Sequence, residues 1–386
     1  MSAAGAPVFS LVELGRALCV PDAAEAFSPV GGPGVLAIDL EAASPEAAAP
    51  WLASIRAALP ALPCVTIALG TAPSAGTGPG AAIAGPLAEL AAACDVQLAT
   101  RAELVPFCMG FEKTPLAALA FVQLLRAQAA AQTTPATTGG ATNRGVPSAA
   151  MPEAFAEIAR GLAAESFVYS TLQSGPEFHA WLATRRARRR ATTGARGLAE
   201  PACLLVRDEN RLELRLNRPA RHNAFSRSLR DALCEGLGLA LADPTIEAVV
   251  LRGEGESFCS GGDLDEFGSF PDPATAHAVR TTRSPALLVA RLAGRIRSEI
   301  HGACIGAGIE LPAFTDHVVA AEDTFIELPE VRLGLVPGAG GTVSITRRIG
   351  RQRTAWLGLS GRRIDARTAL DWGLVDEVRL GQHPRA

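Results

Sequence analysis

Three glycine-rich stretches and two glutamates are the residues of this 386-residue chain whose types and spacing could do chemistry. The first stretch is Phe258-Cys259-Ser260-Gly261-Gly262-Asp263-Leu264, just after a predicted strand. Successive glycines let the backbone approach a ligand closely and leave amide N–H groups free to point at it. In Gly302-Ala303-Cys304-Ile305-Gly306-Ala307-Gly308-Ile309-Glu310, small residues sit where a strand turns into a helix. Exposed amides and the positive end of a helix dipole would meet a developing anion there. The third stretch, 334–342, begins another helix. Two amide-rich turns flanking one site suit an oxyanion hole. A dinucleotide fingerprint does not fit, because no GxGxxG follows a first strand with an acidic residue about 20 positions on. A Walker lysine is missing from these turns, since the only lysine is Lys113.

Two carboxylates complete this constellation. Glu310 lies in Ile309-Glu310-Leu311 and Glu330 in Leu328-Pro329-Glu330-Val331. Apolar surroundings raise a carboxyl pKa by desolvation, which suits general acid–base work near neutral pH. The alternative is that each pairs with an arginine, and Arg332 is close to Glu330 in sequence. His222 reads as a loop residue, His301 and His317 as core or surface residues, and Cys259 and Cys304 as packing. No two of the eight cysteines lie within four residues of each other, so redox and zinc CxxC patterns are absent and no metal is expected.

The elements that must hold these residues alternate between strand and helix. Strands are predicted at 204–206, 212–216, 248–252, 296–300 and 317–321, and helices at 226–241, 279–292 and 305–314. That rhythm implies a parallel sheet with crossover helices. The front of the chain repeats it on a smaller scale, with strands at 35–40, 64–70 and 95–99 and helices at 47–59 and 115–126. The segments 61–70 and 93–100 echo 245–253 and 314–321, through either a degenerate second copy of the fold or convergent strand composition. The expected organisation is an α/β unit over 1–126, a flexible Thr/Ala/Gly/Pro linker over 127–150, a helical connector over 151–196 and a catalytic domain over 197–386.

Composition narrows the function classes. With Lys+Arg 36 against Asp+Glu 39 the net charge is −3, which argues against nucleic acid or an anionic membrane as the main partner. Six arginines fall in 185–196 without interleaved aromatics, which reads as the solvated end of a helix. The uncharged stretch 57–88 contains five prolines and five glycines, so it is not a membrane helix. No basic region precedes an apolar run at the N-terminus, and unpaired thiols point to a cytoplasmic protein.

From about 204 to 378 the chain resembles the enoyl-CoA hydratase/isomerase family, the crotonase superfamily. Four motifs carry the likeness in order: LNRPARHNAF (216–225), FCSGGDL (258–264), HGACIGAGIEL (301–311) and ELPEVRLGLVPGAGGT (327–342). The closing GRRIDARTALDWGLVDEV (361–378) is also similar. The resemblance implies a crotonase-like spiral of ββα units in the C-terminal half, with a smaller α/β unit before it. It also implies an oxyanion hole made by the Gly262 and Ala307 amides, with Glu310 and Glu330 as acid–base residues. Arg218 would lie near the CoA phosphates, and Ser260, Gly261, Asp263 and Leu264 would contact the adenine. The implied substrate is an acyl-CoA thioester, with no cofactor beyond its coenzyme A, and the implied assembly is a homo-oligomer.

The implied reaction is hydration of a 2-enoyl-CoA. The alternatives are a double-bond isomerase, a cofactor-independent dioxygenase of an arylacetyl-CoA, or a non-catalytic acyl-CoA-binding scaffold. Relatives continue past the GLVDEV motif into a helical region, whereas here roughly 200 residues precede the match. The helices of 151–186, or the front α/β unit, are expected to substitute for that region.

Overall fold

The computed structural model describes residues 6–41, 45–70, 85–131, 151–189 and 200–380. The chain divides into two compact units: Met1–Ala129 with Arg351–Gly361, and Ala130–Gly350 with Arg362–Ala386.

The first unit is a small α/β layer. Its strands are β1 (Val8–Phe9), β2 (Val35–Asp39), β3 (Val65–Leu69) and β4 (Val96–Leu98), and they pair in parallel in that order. Its helices are α1 (Leu11–Ala17), α2 (Ala23–Phe27), α3 (Pro45–Ala58), α4 (Pro86–Ala93), α5 (Leu104–Cys108) and α6 (Pro115–Ala131). All five residues of β3 are buried, as expected of a parallel strand covered on both faces. Leu14, Leu36, Ile38, Ile55, Leu59 and Leu90 form its core. Helix α6 runs five residues beyond the expected 126, into the segment read as a linker, because Gln128 and the alanines around it are good helix formers. Residues 132–150 of that linker lie outside the described residues.

The second unit begins with two helices, α7 (Met151–Gln173) and α8 (Pro176–Arg189). Arginines 190 and 196 of the basic run lie outside the described residues. Strands β5 (Cys203–Asp208) and β6 (Arg211–Leu216) form an antiparallel hairpin, with Leu205 opposite Leu214. The alternating Leu212, Leu214 and Leu216 of β6 are buried, the period-2 pattern of a half-buried strand. Then come α9 (Arg227–Ala242), β7 (Ala248–Gly253), α10 (Pro273–Thr282), α11 (Pro285–Arg291), β8 (Ile296–Ile300), β9 (Ala303–Ile305) and α12 (Ala307–Glu310). The chain continues with β10 (His317–Ala321), β11 (Phe325–Glu327), α13 (Gly341–Ser360), β12 (Ile364–Asp365), α14 (Ala366–Trp372) and β13 (Glu377–Arg379). A six-stranded sheet runs β13-β10-β8-β7-β6-β5, parallel except at the hairpin, and a three-stranded sheet runs β12-β11-β9. The strands β7 and β10, whose sequences echo β3 and β4, are separated by β8, whereas β3 and β4 are neighbours.

Two expectations need correction. The helix predicted over 279–292 is two helices, because Ser284 caps α11 through the Leu287 amide and Pro285 occupies its first position. The helix predicted over 305–314 is a four-residue turn followed by a 3-10 turn, since Gly306 has φ +50° and Pro312 lacks an N–H. Helices α7 and α8 group with the second unit. Gly350 (φ +79°) breaks α13, and Arg351 and Gln352, which group with the first unit, bond Asp95 and the Cys94 carbonyl. No helix among the described residues is long and apolar enough to cross a membrane.

Candidate active site

The two glycine turns are brought together by strand-like pairing. The Cys259 amide donates to the Ala303 carbonyl (3.1 Å) and the Ile305 amide to the Cys259 carbonyl (3.0 Å). A side chain at Gly308 would place its Cβ 2.2 Å from the Cys259 carbonyl oxygen, so this approach requires glycine. On its other side, the Phe225 amide donates to the Gly261 carbonyl (2.7 Å) and the Asp263 amide to the Phe225 carbonyl (2.9 Å). These bonds fix the loop on both sides of Gly262. Among the described residues, neither the Gly262 nor the Ala307 amide is bonded to a backbone carbonyl. Both residues line a cavity of about 160 Å³ together with Glu310 and Glu330.

Glu310 is 2% exposed, and its Oε2 accepts from the amides of Ala339 and Gly341 (both 2.8 Å). Burial pushes its carboxyl up to about 7, with those two amides opposing the rise. Glu330 begins a 3-10 turn (Glu330–Leu333), and its carboxyl meets Glu310 beside Gly306. A Cβ on Gly306 would lie 2.2 Å from Oε1 of Glu330 and 3.6 Å from Oε1 of Glu310. The Oε2 atom of Glu330 is enclosed and has no hydrogen-bond partner among the described residues. Burial, and then the Glu310 charge, raise the Glu330 carboxyl well above the usual range. The arginine that the sequence offers to Glu330 is engaged elsewhere, since Arg332 pairs with Glu327. Neither Glu310 nor Glu330 is paired with an arginine among the described residues.

A third carboxylate joins them from outside the predicted set. Glu165, on α7, is 2% exposed and accepts from the Gly340 amide (2.7 Å), the Thr342 amide (2.9 Å) and the Thr342 hydroxyl (2.6 Å). Burial, and then the Glu310 charge, push it up to about 8. Tyr169, one turn further along α7, lines the cavity and stacks under the Arg280 guanidinium at 4.5 Å. The signal for these residues was a Glu165-Ser166 polar pair interrupting an otherwise apolar helical stripe. A second chamber of about 220 Å³, walled by Ala159, Leu162, Ala163, Leu287 and Leu311, shares Phe225, Gly338 and Ala339 with the first. From α8, Arg185 donates to the Leu264 carbonyl (3.2 Å) and pairs with Asp265 (2.9 Å), and Phe178 and Trp181 pack on Phe267.

The residues read as CoA-binding form a brace. Arg218 pairs with Asp263 (2.9 Å) and also donates to the Ala224 carbonyl, while the Ser260 amide donates to the His222 carbonyl (2.9 Å). His222 meets the Ser257 hydroxyl (3.2 Å), His301 the Gly255 carbonyl (2.9 Å), and His317 lies beside Asp376 and Glu377. Burial pushes the Cys259 thiol up to about 12 and that of Cys304 well above its usual value, so both are packing residues.

Residues 207–381 match the enoyl-CoA hydratase/isomerase family. A 2,3-dehydroadipyl-CoA hydratase of Escherichia coli (strain K12) is 36% identical over 178 residues, covering 45% of this chain and 68% of that protein. The chain belongs to the enoyl-CoA hydratase/isomerase family. The matched stretch accordingly has the family's crotonase fold, and its relatives are named hydratases and isomerases. A mevalonyl-coenzyme A hydratase of Beauveria bassiana (strain ARSEF 2860) is 32% identical over 175 residues, 43% of this chain and 62% of that protein. The crystal structure of an enoyl-CoA hydratase of Mycobacterium smegmatis aligns at 33% identity and a TM-score of 0.44, over 47% of this chain and 71% of that one. The chain thus spans about two thirds of the length of these family members. Glu165, Tyr169 and the rest of α7 and α8 precede the matched stretch.

Proposed function

We propose that the protein hydrates the double bond of a 2-enoyl-CoA thioester. The observation that carries this reading is one cavity lined by two buried carboxyls, Glu310 and Glu330, that no arginine pairs among the described residues, and by two unengaged backbone amides. The thioester carbonyl accepts from the Gly262 and Ala307 amides, which stabilise negative charge on that oxygen as the enolate forms. Glu310, whose anion two amides stabilise, is the base that takes a proton from water as the oxygen attacks C3. Glu330, whose anion has no such support, carries the proton and delivers it to C2. The double bond gains one H and one OH, and a proton passing from Glu310 back to Glu330 resets the pair. The acyl chain enters the apolar chamber beside α7. The loop of Ser260, Gly261, Asp263 and Leu264, braced by Arg218, takes the CoA moiety. No cofactor beyond the substrate's coenzyme A is required, and the protein acts as a homo-oligomer in the cytoplasm.

The mass of the product tests this reading. Short, medium and aromatic 2-enoyl-CoAs incubated with the protein should yield a product heavier by one water. A product of unchanged mass would make the protein an isomerase, and incorporation of both atoms of O2 into an arylacetyl-CoA would make it an oxygenase. Tight binding of every CoA ester without any product would make it a binding protein.

A further inference from the structure

Glu165 has no part in the proton transfers above, yet it is buried at their edge. Four consecutive amides of the turn before and into α13 alternate between two carboxyls: Ala339 and Gly341 donate to Glu310, Gly340 and Thr342 to Glu165. We propose that Glu165 is a positioning residue for Glu310, gripping one set of alternate amides so that the other set holds the catalytic carboxylate. This inference rests on the role given to Glu310 above.

The turn needs such a grip. It runs Gly338-Ala339-Gly340-Gly341, with Gly340 at φ +107°, so the backbone has little intrinsic preference for one shape. A Cβ at Gly341 would lie 2.6 Å from Cγ of Glu310, so no side chain can stiffen it there. Glu165 reaches it across 175 residues of sequence from the rigid helix α7. A buried carboxylate with only uncharged donors is a costly way to pack a helix, and an apolar residue would serve packing better. What the carboxylate alone supplies is acceptance of the Gly340 and Thr342 donors. The titratable groups facing it are Glu310 and Glu330, Tyr169 on its own helix, Arg280 and His277 from α10, and Arg230 from α9. Arg280 is held by Ser166, Ser170 and Gln173 and leaves the Glu165 oxygens to the turn.

Two variants separate positioning from packing. Glu165→Leu fills the space but accepts nothing. It should lower kcat about 10²-fold, the scale of a catalytic group misplaced by an ångström, with KM changed less than threefold. The acid limb of its pH profile should move to higher pH, because Glu310 loses amide support. Glu165→Gln keeps one acceptor and should retain activity within about tenfold of wild type. Folded Glu165→Leu protein with wild-type kcat and acid limb would overturn the proposal. Should Glu165→Leu not fold, amide hydrogen exchange in Glu165→Gln decides the matter. Faster exchange at all four amides of 339–342 is expected, and acceleration at Gly340 and Thr342 alone would overturn the proposal. This readout needs no turnover, so it stands even if wild type hydrates no enoyl-CoA and the functional reading fails.

Discussion

Both units bury carboxylates, and they treat them in opposite ways. In the first unit, the Asp95 side chain is 1% exposed and bonds the Thr66 amide and hydroxyl, both Nε and Nη2 of Arg126, and Nη1 of Arg351. Two cations and two neutral donors leave its charge fully compensated, and Arg126 ties three further carbonyls, those of Pro60, Leu62 and Cys64. In the second unit Glu165, Glu310 and Glu330 share one region with no arginine paired to any of them among the described residues. A compensated buried charge holds chain segments together, and one kept from its counterion holds a proton near neutral pH. Burial alone therefore does not separate these carboxylates; what differs is that arginines pair Asp95 and none pairs the glutamates proposed for acid–base work.

The largest effect that could break this contrast is chemical. Glu310→Gln and Glu330→Gln should each lower kcat by about 10²–10⁴-fold with KM little changed. The double variant should be little worse than the worse single one, because the two residues act as a unit. Steady-state hydration rates across an enoyl-CoA concentration series check this.

Asp95→Asn should instead act on stability. Removing the charge leaves Arg126 and Arg351 without their anion, at a cost of about 3–5 kcal/mol. Denaturant unfolding should show the loss, while turnover per folded molecule stays near wild type.

A smaller effect is the response to pH. Hydration should rise with pH as Glu310, pushed up to about 7, loses its proton, and fall again above that as Glu330 gives up its own. For stability, the three glutamates have folded-state pKa values raised above the ordinary value of 4.5. Their contribution is complete below that value and is lost as pH rises through the folded values. Unfolding free energy should therefore decline between about pH 5 and 8, and less steeply in Glu165→Gln; urea titrations at the two pH values measure the difference.

The glycine turns of the candidate site were legible in the sequence because their pattern is local. Gly261–Gly262 and Gly306–Gly308 announce backbone that must come close to something, and Glu310 and Glu330 sit in short apolar contexts. Five strands of the six-stranded sheet were legible too, because buried runs such as 249–251 have no competing helical period, whereas the short, half-exposed β13 gave no such run. Glu165 was not, because its partner turn lies 175 residues away and only the fold brings them together. The break between α10 and α11 was signalled by Ser284-Pro285, but the apolar periodicity across it favours one helix. The division of α13 at Gly350 had only a single glycine to mark it, and helices tolerate one at a cost of about 1 kcal/mol.

The most direct test follows the loss of conjugated enoyl-thioester absorbance with wild type, Glu310→Gln and Asp95→Asn side by side, each normalised to folded protein. Turnover should persist in wild type and Asp95→Asn and collapse in Glu310→Gln. Turnover surviving in Glu310→Gln, or lost equally in folded Asp95→Asn, would contradict the assignment of chemistry to the carboxylates that stand without a cation.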